Sequence, residues 1–346
     1  MRFAYKPSPH IKTKVSTASI LNTVLFTLVL TTIYSIVVQY IHFGINYAVR
    51  GLLVVVVSCV TAFTTNVIFH LIRDKKFNIA KIMQGAPLIT ALILALSLPV
   101  GMPLYGVFVA AIFAEFFAKL IFGGFGNNIF NPAAVGIVIA GVAFYGGDTP
   151  LASIAGQYNW RISDAQGIQF IGEYGGLVAI FLGSVRGAIG ETARLVVLIA
   201  CLFLVYKKMI DWVIPVFFMA TIFVATFLFS LYLGVGLWYP LLHMFSGSLI
   251  FGMVFTATDP VTTPVNRQGR ILFAIFLAMI TLIIRFNAVH IEAMAFAILI
   301  MNMFVPFIDQ KTANVTITHT GLKVTSICVS FVCAVGFTIG LSIMLG

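Results

Sequence analysis

Charge is what this sequence has least of. Asp, Glu, Lys and Arg make up 9% of the 346 residues, against 61% apolar ones, and the mean hydropathy is +1.09. A soluble domain carries about 25% charged residues. The material for a water-facing shell is missing, which excludes a soluble enzyme. Cysteine is sparse too. Cys59, Cys201, Cys328 and Cys333 lie inside apolar segments without a CxxC pair. They read as small packing residues, and a self-contained iron–sulfur or zinc site is not expected. The six histidines show no metal-ligand spacing, and no Ser/His/Asp or Cys/His set is evident. Residues 1–17 are polar and basic, with no small-residue cleavage site before the first apolar run, so no removable signal peptide is expected.

What remains is apolar sequence in long runs, for which lipid is the fitting solvent. Runs of spanning length cover about 18–40, 49–72, 86–101, 104–122 and 131–147. A more polar segment, 148–178, follows. A second series covers about 179–206, 210–233, 244–258, 270–286 and 290–308, and a last run covers 323–345. Several runs fall short of the roughly 20 residues a spanning helix needs. Their Gly, Asn and Pro flanks predict broken or half-spanning elements, which are tolerated where they line a protein interior.

The net charge of +10 sits mainly between the runs, at Arg2, Lys6, Lys12 and Lys14, at Arg73, Lys75, Lys76 and Lys81, at Lys207 and Lys208, and at Arg267 and Arg270. That is positive-inside patterning rather than a nucleic-acid patch. With a cytoplasmic N-terminus, the loops 73–81, 123–130, 207–211, 259–270 and 309–322 fall inside. The segment 148–178, with Asp148, Asp164 and Glu173 against Arg161, falls outside. Arg285 violates the pattern.

The two series are related. Pro99 and Pro103 match Pro260 and Pro264 at one offset of 161 (260 − 99 and 264 − 103), which also aligns Phe125 with Phe286 and Ala134 with Ala295. Because five is odd, a duplicated five-helix unit re-enters from the opposite side, as in secondary transporters. The expected fold is an all-α polytopic membrane protein of about ten transmembrane helices in a 5+5 inverted repeat, with an extra C-terminal helix. Its parts are an N-terminal segment 1–17, a first repeat 18–147, an external segment 148–178, a second repeat 179–308 and a linker with the extra helix at 309–346.

Polar residues at the ends of short helices are the candidates for chemistry. Gly123-Gly124-Phe125-Gly126-Asn127-Asn128-Ile129-Phe130-Asn131-Pro132 follows no strand and is not a dinucleotide fingerprint. It reads either as a tight turn or as a flavin or ion contact through Asn127 and Asn131. In Thr256-Ala257-Thr258-Asp259-Pro260, Asp259 is a carboxylate at the end of an apolar run, either a cap or an ion group. Glu115 lies four residues before Lys119 in an apolar run, the spacing of a helical ion pair. Asp309 closes an apolar helix at the inner face. Glu292 and Arg285 are placed to pair across a turn. Gly146-Gly147-Asp148-Thr149-Pro150-Leu151 by itself is a turn.

These motifs carry a family resemblance. Ser8-Pro9-His10, Leu98-Pro99, Phe122 through Ala133, Gly190-Glu191, Ala257-Thr258-Asp259-Pro260-Val261, Gly269-Arg270 and Val305-Pro306-Phe307-Ile308-Asp309 resemble the RnfD/NqrB membrane subunits of ion-translocating redox complexes, most closely the RnfD branch. The resemblance runs from about Ser8 to Asp309. It implies electron transfer coupled to Na⁺ or H⁺ movement, in a bacterial cytoplasmic (inner) membrane complex with other membrane, flavin and Fe–S subunits. It also implies FMN, joined through a phosphoester to an outer-side threonine in a motif resembling DGxSGATPL, with riboflavin as a further candidate cofactor. The match reduces to Thr149-Pro150-Leu151, preceded here by Gly146-Gly147-Asp148. Thr149 is the candidate and Thr192, beside Gly190-Glu191, the weaker alternative. Asp259, Asp309 and Glu115 are carried over as ion-route acids. A flavin-free cation or solute transporter of the same plan is the competing expectation.

Overall fold

The computed structural model describes residues 16–75, 79–144, 164–173, 175–183, 187–286 and 292–313, with Gly336 and Gly340. Thr149 and the expected helix near 323–345 lie outside them. Among the described residues the regular structure is helical, and the one β contact is an isolated antiparallel bridge between Pro99 and Ala188.

Local chemistry sets the first boundaries. α1 (Thr17–Phe43) starts where the Ser16 hydroxyl accepts from the Ser19 N–H at 3.2 Å. It stops at Gly44, whose φ of 85° no longer continues the helix. α2 (Ile45–Asp74) follows directly. At 27 and 30 residues these helices are about 40–45 Å long, more than a roughly 30 Å hydrocarbon layer needs. Their outer faces expose Ile33, Ile41, Leu52, Val56 and Ile72. Such a surface suits lipid or a neighbouring membrane subunit and not water.

Behind them the helices shorten. α3 (Ile79–Gln84) leads into α4 (Pro87–Ser97), of which nine of the 11 residues are buried. The Pro99 and Pro103 pair then breaks the chain, and α5 (Leu104–Ile112) continues as a π-helical stretch, Phe113–Leu120. After the Gly–Asn loop comes α6 (Pro132–Phe144). α7 (Asp164–Glu173) and α8 (Gly176–Leu182) precede α9 (Ile189–Tyr206), whose first turn, Ile189–Ala193, is 3₁₀. α10 (Val213–Leu233) leads to α11 (Trp238–Phe245) and α12 (Leu249–Thr256), which meet at a 61° bend. Most of α12, Gly252–Thr256, is π-helical. α13 (Arg267–Phe286) and α14 (Ala293–Ala313) complete the described fold.

Six of these helices, α1, α2, α9, α10, α13 and α14, are long and apolar enough to cross a membrane, and α11 with α12 makes a seventh if the bent pair is one span. The chain is therefore a multi-pass membrane protein. Among the described residues, helix length by itself does not reach the ten crossings expected from apolar runs. At 11 and 13 residues, α4 and α6 extend only about 16–20 Å. The run at 179–206 divides at Gly183, φ 89°, where a Cβ would collide with the Thr192 carbonyl oxygen. Apolarity continued through these positions, but Pro, Gly and Ser breaks interrupt the backbone ladder.

Close approach between helices rests on small residues, as expected where lipid gives apolar side chains no reason to leave it. Gly136 brings α6 against α5: a Cβ there would meet the Ala110 carbonyl at 2.9 Å and the Ala114 methyl at 3.0 Å. Helix starts keep the sequence offset. α6 begins at Pro132 and α14 at Ala293 (293 − 132 = 161), while α4 begins at Pro87 and α12 at Leu249 (249 − 87 = 162).

Outside the spans, Asp164 fastens α7 to the α10–α11 connection. Its carboxylate accepts from the Trp238 indole at 2.6 Å and the Gly236 N–H at 2.9 Å. The indole, then the amide, hold this carboxyl below its ordinary range.

Candidate functional site

Two groups of buried and half-buried polar side chains lie at the two ends of α12. At its C-terminal end the last π-helical carbonyls have no partner within the helix, and a side chain from another element supplies one. The Asn131 amide donates to the Thr256 carbonyl at 3.1 Å and lies 3.4 Å from an Asp259 carboxylate oxygen. Asn131 also caps its own helix, its Oδ1 accepting from the Ala134 N–H at 3.1 Å. Asn302 from α14 completes the knot, accepting from the Asn131 N–H at 2.9 Å and donating to the Thr262 carbonyl at 3.0 Å. Asp259 is held from its own turn by the Val261 N–H at 3.2 Å and the Thr262 hydroxyl at 3.1 Å. One residue thus ties the Asn–Pro start of α6 to the Asp–Pro turn 128 positions later.

Beside this knot lies a buried ion pair. Lys119 Nζ sits 2.8 Å from Glu115 Oε1, one helical turn back, and 3.1 Å from the Thr90 hydroxyl. Asn66 of α2 donates to the same Glu115 oxygen at 2.5 Å, while Glu115 Oε2 has no hydrogen-bond partner among the described residues. A cavity of about 100 Å³ joins the two groups. Its polar walls are Thr90, Lys119, Asn128, Asn131, Thr258 and Asp259, and its apolar walls include Phe125, Leu21, Ile93 and Phe255. A second cavity, of about 400 Å³, shares Met209, Ile210, Thr258 and Pro260 with the first. It is bordered by Lys208 and by an Arg270–Asp211 ion pair, with the Arg270 Nε also donating to the Pro264 carbonyl at 2.9 Å.

The other end of α12 holds a different set. The α11–α12 bend leaves carbonyls without helical partners, and Arg285 supplies them. It donates to the carbonyls of His243 and Ser246, each at 2.8 Å. This explains the exception to positive-inside patterning: Arg285 is buried as a backbone cap rather than placed at a water interface. Around it lie Glu191 and Arg194, paired at 3.5 Å, and Glu292, which accepts from the Ser248 hydroxyl at 3.1 Å. All four ionisable groups are at most 6% exposed.

The candidates named from sequence therefore divide. Asn131, Asp259 and Glu115 come together at the C-terminal end of α12. Asn127 is exposed, its amide 3.5 Å from the Gly123 carbonyl, and the neighbouring amide that lines the cavity is Asn128. Asp309 stands apart, accepting from the Val265 N–H at 3.0 Å in the connection before α13. The Thr192 hydroxyl is buried and donates to the Ile189 carbonyl at 2.8 Å. Sequence reasoning missed Asn66, Thr90 and Asn302, whose only signal was an amide or hydroxyl inside an apolar run. It also missed the grouping of Glu191 and Arg194 with Arg285 and Glu292. Among the described residues, no group of three His, Cys, Asp or Glu is arranged to hold a metal ion.

Comparison with known proteins gives the family. The model of the NQR2, RnfD, RnfE family matches residues 4–318. A component of the proton-translocating ferredoxin:NAD(+) oxidoreductase complex of Clostridium ljungdahlii is 30% identical over 331 residues, covering 90% of this chain and 95% of that protein. A component of the Na(+)-translocating ferredoxin:NAD(+) oxidoreductase complex of Acetobacterium woodii is 31% identical over 310 residues, covering 88% and 92%. A component of the ion-translocating oxidoreductase complex of Actinobacillus succinogenes is 28% identical over 351 residues, covering 90% and 96%. The chain belongs to the NQR2, RnfD, RnfE family.

Proposed function

We propose that this chain is a flavin-carrying membrane subunit of a ferredoxin- and NAD-linked oxidoreductase complex, and that it couples electron transfer to the movement of Na⁺ or H⁺ across a bacterial cytoplasmic membrane. The observation that carries the ion-coupling part is the half-buried Asp259 carboxylate. It stands at the broken end of α12, in a cavity it shares with Lys119 and Asn131. An intramembrane carboxylate is costly, and holding a cation or proton is the function that offsets the cost. The adjoining cavity, bordered by Lys208 and the Arg270–Asp211 pair, gives that site its route to the inner aqueous face. The names of the relatives supply the coupling partner, since each denotes a subunit of an ion-translocating oxidoreductase. The N-terminus is cytoplasmic in this reading, because the basic connections then fall inside. The matching helix starts of the two halves support the inverted 5+5 repeat, with α4 and α12 as equivalent short, broken elements.

A flavin on this chain would supply one- and two-electron chemistry, and the chain's part would be to orient it and keep water out. Thr149 is the candidate for covalent FMN on the outer side. Other membrane, flavin and Fe–S subunits deliver and remove the electrons.

In-gel flavin fluorescence of the denatured chain, purified from the complex, tests the flavin. A fluorescent band lost in Thr149→Val and kept in Thr192→Val is expected. A non-fluorescent chain, together with no extractable flavin beyond what the other flavin subunits of the complex account for, leaves a flavin-free transporter.

A further inference from the structure

Glu292 opens α14 on the side of α12 opposite the Asp259 site. It is 4% exposed, and among the described residues its carboxyl accepts one hydrogen bond, from the Ser248 hydroxyl at 3.1 Å. No described cation lies within ion-pair distance of it. Arg285, the cation that acts on it electrostatically, donates to the His243 and Ser246 carbonyls instead. The second acid, Glu191, acts on Glu292 electrostatically, and its own partner Arg194 is 3.5 Å away and gives another N–H to the Ile180 carbonyl at 2.5 Å. The guanidinium groups are thus engaged largely by backbone carbonyls exposed at helix breaks, and the two carboxyls share what is left. On α11, whose His243 carbonyl takes an Arg285 N–H, the Tyr239 and His243 rings lie 4.6 Å apart between centroids. Two buried carboxylates acting on each other do not both ionise readily, so one of them gains by holding a proton.

We propose that Glu292, buried and hydrogen-bonded by Ser248, is a proton-holding site at the far end of α12, distinct from the Asp259 site, and that a proton rather than a metal cation occupies it. The two arginines decide against a metal ion. Their fixed positive charge in a medium of low dielectric repels a cation that cannot merge into a carboxyl group. A proton does merge: it forms one O–H bond on the Glu292 carboxylate and leaves a neutral acid. The four groups Glu191, Arg194, Arg285 and Glu292 sum to zero with both acids ionised and to +1 with Glu292 protonated. Arg194 adds an independent sign of an exchangeable partner, because its buried Nε–H has no acceptor among the described residues. A buried donor of this kind is where a solvent molecule able to relay a proton gains most.

This proposal rests on the reading that the chain moves ions, and its test separates the two. Infrared difference spectra are recorded on the intact complex in vesicles between acid and alkaline pH. The carbonyl stretch of a buried, protonated carboxyl is expected. It should vanish in Glu292→Gln, persist in Asp259→Asn, and shift in Ser248→Ala, which removes the hydroxyl donor and leaves the acid. Glu292→Asp, which keeps a carboxyl in a shorter side chain, should keep a shifted band if the Gln variant fails to assemble. A carboxyl signal indifferent to both Glu292 variants overturns the site. A signal abolished by Na⁺ but not by choline at constant pH overturns the proton. If the complex moves no ion at all, the ion-coupling function falls, while the Glu292 band still decides this proposal.

Discussion

The Asn131 amide nitrogen lies 3.1 Å from the Thr256 carbonyl and 3.4 Å from the Asp259 carboxylate, so one side chain closes the end of α12 and steadies the acid beside it. Asn131→Ala leaves that buried carbonyl unpaired, which costs about 1–3 kcal/mol. Thermal unfolding of the complex in detergent should show a lower transition, and Asn131→Asp should not restore it, because a carboxylate cannot donate to a carbonyl.

Glu115 and Lys119 form an ion pair sealed from solvent. Removing one member leaves the other charge buried and should cost about 3–5 kcal/mol, whereas replacing both by apolar residues costs far less. Glu115→Gln and Lys119→Met should each reduce the amount of assembled complex, and Glu115→Leu/Lys119→Met should recover most of it. If the double variant is as poor as the singles, the pair has a role beyond neutralising itself.

Gly183 and Gly234 both carry positive φ, at 89° and 70°, but only Gly183 is crowded, by the Thr192 carbonyl. Alanine at Gly234, where no atom lies within 4 Å, should cost about 1 kcal/mol from the backbone alone. Alanine at Gly183 must also push α8 from the start of α9, and its thermal transition should fall clearly further.

The Asp164 latch has a calculable pH sign. Its folded carboxyl is held below its ordinary range by the Trp238 indole and the Gly236 N–H. The stabilisation is therefore present above the unfolded value and is lost as pH falls through the folded one. Tryptophan emission should stay constant from neutral pH down into the ordinary carboxylate range, and change only below it. Asp164→Asn should remove that acid transition. A wild-type transition near neutral pH would contradict the latch.

Part of this site could be read in the chain itself. Asp259 before Pro260, and Asn131 before Pro132, announced helix breaks inside apolar sequence, and there the polar knot forms. Pro99 and Pro103 likewise foretold the break between α4 and α5. Spans counted from apolarity overran the helices, because hydropathy does not register a Gly183 stop or a 61° bend at Ser246 and Gly247. The cluster around Arg285 was hidden for another reason. Glu191 and Arg194 share the start of α9, far in sequence from Arg285 and Glu292, and each alone looks like the solvated end of a span. The turn spacing of Glu292 and Arg285, and the misfit of Arg285 with the charge pattern, were the two hints.

The proposed role of Asp259 in coupling ion movement to electron transfer is tested most directly by ion uptake into inverted membrane vesicles. Uptake is driven by reduced ferredoxin and NAD⁺, with Na⁺ and H⁺ followed separately. Asp259→Asn is expected to leave the complex assembled and electron flow measurable, while ion uptake falls at least about tenfold, equivalent to about 1.4 kcal/mol. Uptake equal to wild type in an assembled Asp259→Asn complex would contradict that role.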